Sequence, residues 1–399
     1  MNIGIVTTWY ERGASYVSRQ YMEALENQGH SVFIFARGGK YAKNDSKWDL
    51  PNVKWGYRLN EREISTRQLV NWIDKNNIEL VLFNEQDYYK IIVDLKERRE
   101  QLIVGTYVDY YRESDLNWFN TYDFLICNTQ RHMEAMEFHP SSYYIRWGTD
   151  TELFSPKSKT IFKDELVFFH SAGLSNRKGT DLLIEAFIDY KVFEKARLII
   201  HTQQDLSRLF KKDYSNLEEY NIKVINKTVT SPGLYNEGDV YVYPTKLDGL
   251  GLTMYESLSC GLPVIATNYP PMNEIINDSN GSLVKVKKNY ARSDGYYWPL
   301  SEVDKKDLAE KMNCFINIFE NDGLSELQNN VRNQAIEKFD WKKNSLELTY
   351  ILENVEAKKI PEDLANEIKA FYRKEKFKWV KQLLKSSRII SLCINQFRS

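Results

Sequence analysis

Short apolar, β-branched runs alternate along this chain with segments whose apolar residues fall at helical spacing. Residues 2–8 (NIGIVTT) read as a strand. A loop containing Gly13 follows, and YVSRQYMEALENQG reads as a helix that Gly29 closes as its C-cap. Residues 31–36 (SVFIFA) are the next buried strand, so the unit is βαβ and its strands pair in parallel. The grammar recurs: ISTRQLVNWIDKNN and YYKIIVDLKERR are helices, and 79–84 (ELVLFN), 102–107 (LIVGTY) and 123–128 (DFLICN) are strands. Such alternation builds a doubly wound sheet whose ligands sit beyond the carboxyl ends of the strands.

Near residue 150 the rhythm breaks in IRWGTDTELFSPKSKTIFKDE, where Gly148, Pro156 and a polar run mark a linker. The same order then restarts, with strands expected at 166–173, 196–202, 239–245 and 262–267 and a helix over GTDLLIEAFIDY. The expected fold class is therefore α/β, two Rossmann-like doubly wound domains facing across a cleft. The division is 1–150, 151–355 and a tail, 356–399.

Composition narrows the function. At 14% aromatic the chain is too rich for disorder, and 54 basic against 55 acidic residues leave no global positive field for a nucleic acid. Cys127, Cys260, Cys314 and Cys393 form no CxxC pair, which fits a reducing compartment, and no run approaches the length of a membrane span. A cytoplasmic protein is expected. Charge is nevertheless segregated: from 369 to the end there are nine Lys or Arg and one acid, Glu375. Phe377, Val380 and Leu384 share a helical face there with Trp379 and Leu383 beside it, so a basic amphipathic helix is expected. It either closes over the two domains or meets an anionic membrane surface, the inner face of the cell membrane.

The chemistry concentrates in YPTKLDGLGLTMYESLSCGLPVIAT, residues 243–267. A strand ends at Thr245, a glycine-bearing turn follows (Asp248, Gly249, Leu250, Gly251), and a helix runs from near Leu252 to about Gly261. Backbone N–H groups at the positive end of a helix suit a phosphate or a developing anion. Asp248 and Glu256 stand before and within that helix, so two carboxylates can accept hydroxyl hydrogens of one ligand from different directions.

Here the chain resembles the retaining GT-B glycosyltransferases related to glycogen synthase and sucrose synthase, whose signature is two glutamates separated by seven residues in a pattern like EGFGLxxxEAMAxGxPVIA. This chain reads DGLGLTMYESLSCGLPVIA. GTDTELFSP (148–156), SNRKGTDLLIEAF (175–187), NYPPMNEIINDSNGSLV with Glu274 and Gly281, and FDWKKNSLELTYILE add to the likeness, which covers residues 1 to about 355. The resemblance implies that Glu256 binds the ribose of a nucleotide sugar and that Asp248 lies near the donor sugar. It implies also that the amides of Gly249, Leu250, Gly251, Leu252 and Thr253 hold sugar and diphosphate. Arg177 and Lys178 would neutralise the departing diphosphate, and Gly13 would let the first-domain loop approach the phosphates. Asp109, in TYVDYY where many members carry a histidine, is placed facing the acceptor. Two further departures are the first acid, Asp248 in place of a glutamate, and Gly173 in place of a common arginine.

The resemblance further implies a metal-independent enzyme without a cofactor, the nucleotide sugar, a UDP-sugar by family habit, being a substrate. The expected acceptor is a glycan, glycolipid or protein, and the cytoplasmic setting and the basic tail lead one to expect a role in cell-surface polysaccharide synthesis. Two other readings stay open, a catalytically silent sugar- or nucleotide-binding subunit and a GT-B epimerase or phosphorylase. Taken singly, Glu256 reads as a solvent-facing helix residue, Asp248 as a turn former, Arg177 and Lys178 as surface charges and Asp109 as a loop cap. His30, His170 and His201 lack the spacing of a metal site, and the chain has neither a GxxxxGK loop nor a full dinucleotide fingerprint.

Overall fold

The computed structural model describes residues 1–37, 42–57, 64–157, 165–206 and 216–378. The first domain holds β1 (Asn2–Thr7), α1 (Gly13–Asn27), β2 (Ser31–Ala36), β3 (Val53–Trp55), α2 (Thr66–Lys75), β4 (Leu80–Asn84), α3 (Lys90–Arg98), β5 (Ile103–Tyr107), β6 (Phe124–Cys127), α4 (Gln130–Ala135) and β7 (Ser142–Tyr144). Its strands form one parallel seven-stranded sheet in the order β3-β2-β1-β4-β5-β6-β7. β1 and β4 are buried nearly end to end, as an apolar run covered by helices on both faces must be.

The second domain repeats the plan with β8 (Leu166–Gly173), α5 (Thr180–Asp189), β9 (Ala196–Thr202), β10 (Ile222–Asn226), β11 (Val240–Tyr243), α6 (Leu252–Ser259), β12 (Val264–Thr267), α7 (Met272–Ile275) and β13 (Gly281–Val284). These strands form a parallel six-stranded sheet, β10-β9-β8-β11-β12-β13. An antiparallel hairpin, β14 (Val286–Tyr290) with β15 (Leu300–Val303), stands apart from it. α8 (Lys305–Glu320) and α9 (Leu324–Lys338) complete the domain, and α10 (Trp341–Asn344) and α11 (Glu347–Asn354) follow.

The expected architecture is the observed one, two Rossmann-like α/β domains. Gly29, at φ +86°, ends α1 with the His30 amide bonded back to the Leu25 carbonyl. Gly13 differs from the expectation in a small way: it is the first helical residue of α1 rather than a loop residue before it. Ser15 Oγ accepts from the Tyr10 amide and donates to the Thr8 carbonyl, which folds the preceding turn back onto the helix.

The chain crosses between domains twice at one place, where Thr149 and Asp340 form a parallel bridge and a Cβ on Gly148 would lie 2.5 Å from the Phe339 carbonyl oxygen. Beyond α11 the chain lies against the first domain. Residues 362–378 are helical, and Leu364, Ala365 and Ile368 are buried in that domain's core while Phe377 stays 62% exposed. The apolar stripe of this helix thus begins earlier than the expected one, whose Trp379, Val380, Leu383 and Leu384 lie outside the described residues, as does most of the basic tail. No described helix is long and apolar enough to cross a membrane.

Candidate functional site

Both sheets change direction at a switch point, between β1 and β4 in the first domain and between β8 and β11 in the second. At such a point adjacent strands send their connections to opposite faces, and their carboxyl ends open a crevice. In the second domain that crevice receives the Ser175–Lys178 turn after β8 and the glycine corner after β11. In the first it receives the Gly13 turn after β1 and Glu85 after β4.

The second-domain groups converge. Lys178 Nζ lies 2.5 Å from Asp248 Oδ2, and the Tyr243 hydroxyl bonds to both the lysine and the same carboxylate oxygen. Asp248 Oδ1 accepts the Gly251 amide at 3.2 Å. Burial opposes the charge on Asp248, but Lys178, Tyr243 and the amide outweigh it and hold the carboxyl below its usual range. Gly179, at φ +73°, makes this possible: a Cβ there would sit 2.0 Å from the Pro244 carbonyl oxygen, so only glycine lets the lysine turn lie on the end of β11. Arg177 is exposed; its carbonyl accepts from Thr245 Oγ1 and the Lys246 amide, fastening the turn.

Glu256 stands on α6, and the Tyr235 hydroxyl donates to its Oε2. Burial pushes the Glu256 carboxyl up to about 7, against the opposing pull of Tyr235 and Lys178. Gly251, at φ +76°, turns the chain into α6. The amides of Gly249, Leu250, Leu252 and Thr253 make no hydrogen bond among the described residues. Four free donors at a helix start beside a lysine form a receptor for an anion.

A residue the sequence reading missed sets the corner's orientation. Arg131, 2% exposed on α4 of the first domain, donates to the carbonyls of Asp248 (2.5 Å), Gly249 (3.3 Å) and Pro270 (2.8 Å). In a trans peptide the carbonyl and the following N–H point in opposite directions, so the Gly249 and Leu250 amides face away from Arg131. Glu274, on α7, accepts the Gln130 and Arg131 amides at 2.6 and 3.0 Å and so caps the helix that carries Arg131. The available signal was the arginine's place: a cation in the first turn of a helix opposes the dipole and calls for another reason to be there.

The first-domain groups face this corner. Gly13 opens α1 with its Cβ position 3.8 Å from Leu252. Asn84, fully buried, donates to Thr7 Oγ1, Ser18 Oγ and the Ala14 carbonyl and so fixes that turn. Asp109 lies on the corner itself: a Cβ on Gly249 would be 2.4 Å from Asp109 Oδ1. Burial, then the nearby Glu85 charge, raises the Asp109 carboxyl above its ordinary value, with Arg131 opposing. Gly249→Ala is therefore expected to displace Asp109 while leaving the fold intact. Its melting temperature should stay within about 2 °C of wild type while product formation falls at least roughly tenfold. Unchanged turnover would show that the Asp109–Gly249 contact has no functional weight.

No cluster of three or more His, Cys, Asp or Glu side chains suited to a metal ion occurs among the described residues. His170 is bonded to the Val242 carbonyl and Thr180 Oγ1, and His201 to the Lys227 carbonyl.

Residues 152–296 match the family model described as glycosyl transferases group 1, a span that includes Lys178, the corner and Glu256. The GtfA subunit of a UDP-N-acetylglucosamine–peptide N-acetylglucosaminyltransferase from Limosilactobacillus reuteri is 22% identical over 68% of this chain and 55% of its own length. The capsular polysaccharide glycosyltransferase CapM of Staphylococcus aureus is 25% identical over 43% of this chain and 42% of its own. The chain spans about half the length of the curated relatives it matches. Among solved structures, a sucrose-phosphate synthase from Thermosynechococcus elongatus superposes with a TM-score of 0.68 at 16% identity, covering 88% of this chain and 98% of the other. Pneumococcal GtfA with UDP and GlcNAc superposes at 0.65 and 13% identity, covering 88% and 98%. The resemblance read from the sequence is thereby met by a glycosyl transferases group 1 model over residues 152–296 and, in fold, by these solved structures.

Proposed function

We propose that this chain, whose second domain matches the glycosyl transferases group 1, transfers a sugar from a nucleotide diphosphate sugar to an acceptor hydroxyl with retention of configuration and without a metal. The observation that supports this reading most is the convergence of Lys178, four unpartnered amides and Asp248 at one corner, with Glu256 one helix turn further on. In this reading the amides of Gly249, Leu250, Leu252 and Thr253 and the Lys178 ammonium receive the diphosphate. Charge grows on that group as the glycosidic bond breaks, so preorganised donors stabilise the transition state more than the ground state. Asp248, ionised, orients sugar hydroxyls, and Glu256 accepts the ribose hydroxyls. The departing phosphate takes the acceptor proton on the same face, which needs no second carboxylate nucleophile. Asp109 borders the acceptor, and Gly13 leaves room for the phosphates.

UDP is the proposed nucleotide, in keeping with the UDP named for pneumococcal GtfA. The proposed acceptor is a surface glycan, glycolipid or protein. Contact of the basic tail with the inner face of the cell membrane belongs to the same proposal. A thermal-shift screen of nucleotide sugars, followed by the anomeric configuration of the product by NMR, tests the assignment. No stabilisation by any nucleotide sugar, or inversion, would overturn it. One observation favours the silent binding subunit instead: Lys178 is already ion-paired with Asp248. Transfer that survives purification and vanishes in Glu256→Ala would exclude that reading.

Glu256 supplies a pH test. The folded carboxyl keeps its proton up to about 7, whereas an unfolded glutamate releases it near 4.5. The free protein therefore holds more protons than its unfolded chain between those values, and this group's contribution lowers stability as pH rises through that window. Ribose binding needs the ionised form, so UDP affinity should be roughly tenfold weaker at pH 6 than at pH 8. Calorimetric titration should find that part of the slope missing in Glu256→Gln; equal slopes would remove Glu256 from the ribose site.

A further inference from the structure

The β14–β15 hairpin belongs to the second domain, yet its tip leaves that domain and lies against the first. Tyr296 forms an antiparallel bridge with Arg112, and the Tyr297 amide donates to the Tyr111 carbonyl at 3.0 Å. Trp298 Nε1 donates to the Tyr111 hydroxyl at 2.7 Å, and the Tyr296 hydroxyl donates to the Asp109 carbonyl at 3.2 Å. The Tyr110 and Tyr296 rings stack at 5.0 Å between centroids, with the Arg292 guanidinium 5.1 Å from the Tyr296 ring. Arg131, which holds the glycine corner, lies 5.0 Å from the Trp298 ring.

We infer that the 291–299 strap is an interdomain clamp in which Tyr296 is a positioning residue, fixing Asp109 against the glycine corner and coupling nucleotide binding in the second domain to order in the first. The two grips on Asp109 come from one direction. Its carboxylate meets Gly249 and its carbonyl meets Tyr296, and both partners belong to the second domain. Residues 109–112 are held within the first domain by the Arg112 amide on Asp115 and the buried Tyr111 ring on Phe119, and the strap adds the second-domain grip that seats Asp109 on the corner. Aromatic stacking is suited to this, because a stacked pair adds attraction beyond its buried area and keeps a defined geometry. The inference rests on the glycosyltransferase reading only in taking UDP as its nucleotide.

Amide hydrogen exchange on the full chain tests it, without ligand and with UDP. Without ligand, Tyr296→Ala should speed exchange at least about fivefold at the Arg112 amide, bonded to Asp115, and also at the Gly251 amide across the cleft, bonded to Asp248, while Tyr296→Phe, which keeps the stack, restores the slow exchange of Gly251. A local packing role would leave the Gly251 amide unmoved, and that result would overturn the clamp. With UDP, the wild type should become protected at 247–256 and at 109–112 together, whereas Tyr296→Ala is protected at 247–256 alone. Protection of 109–112 that persists in Tyr296→Ala would overturn the coupling. Failure of UDP to protect 247–256 in the wild type would count against the nucleotide reading, and the ligand-free comparison would still decide the clamp.

Discussion

Replacing Lys178 by methionine is expected to lower turnover by at least about a hundredfold, which corresponds to about 2.7 kcal/mol of lost transition-state stabilisation. The side chain keeps its length and apolar stem but loses the charge bonded to both Asp248 and Tyr243. Two consequences separate this variant from a merely destabilised protein. The free amides of the corner remain, so nucleotide binding should weaken far less than turnover, giving a fall in kcat larger than the rise in KM. Asp248 also loses the cation that offsets its burial, so its carboxyl should titrate higher than in the wild type. Steady-state kinetics with the donor found by thermal shift, together with a pH profile, measures both. A variant that keeps wild-type turnover would dismantle the leaving-group role.

The largest effect on stability is expected far from the cleft. Lys96 Nζ lies 2.8 Å from both oxygens of Asp123, with the two side chains 4% and 1% exposed. The same carboxylate accepts the Val104 amide at 2.7 Å and the Lys358 amide at 2.7 Å, and Lys96 also donates to the Leu102 carbonyl. One buried ion pair thereby ties α3, β5, the start of β6 and the C-terminal crossover. Asp123→Ala leaves an ammonium without its counter-charge in the core, at a cost of about 3–5 kcal/mol. For domains of this size the melting temperature should fall by roughly 10 °C. Scanning calorimetry checks this, and exchange at 355–361 should quicken as the crossover loses its anchor. A fall of less than about 3 °C would mean that water or rearrangement rescues the lysine.

The corner was legible because it is local. Asp248, Gly249, Gly251 and Glu256 lie within one strand–turn–helix unit, and its glycines are there because a side chain would strain or block the turn. The central strands were legible for a related reason: β1, β4 and β8 are buried on both faces and read as continuous apolar runs. β3, β7 and β10 gave no such signal. β3 and β7 are three-residue edge strands with no fully buried position, and β10 is buried only at Ile222, so the pattern that would announce them is missing.

The pairing of Lys178 with Asp248 lay between these cases. The two are seventy positions apart, yet each follows a strand, and only the adjacency of β8 and β11 brings their turns together. Arg131, Glu274 and the hairpin tip were further still from view. Each acts across the domain interface, and nothing in its own segment says what it will meet.

The sequence by itself determined two parallel α/β domains and the glycine corner with its two acids, because periodicity, turn chemistry and motif spacing are short-range properties of a chain. Only the tertiary structure decided which way the corner's amides face, that Asp109 rests on Gly249, that Lys96 and Asp123 share the core, and that a second-domain hairpin grips the first domain. The Lys96–Asp123 pair depends on how α3 packs on the sheet within one domain, and the others on how two separately folded domains dock, which is fixed by shape and charge summed over residues more than a hundred positions apart in the chain.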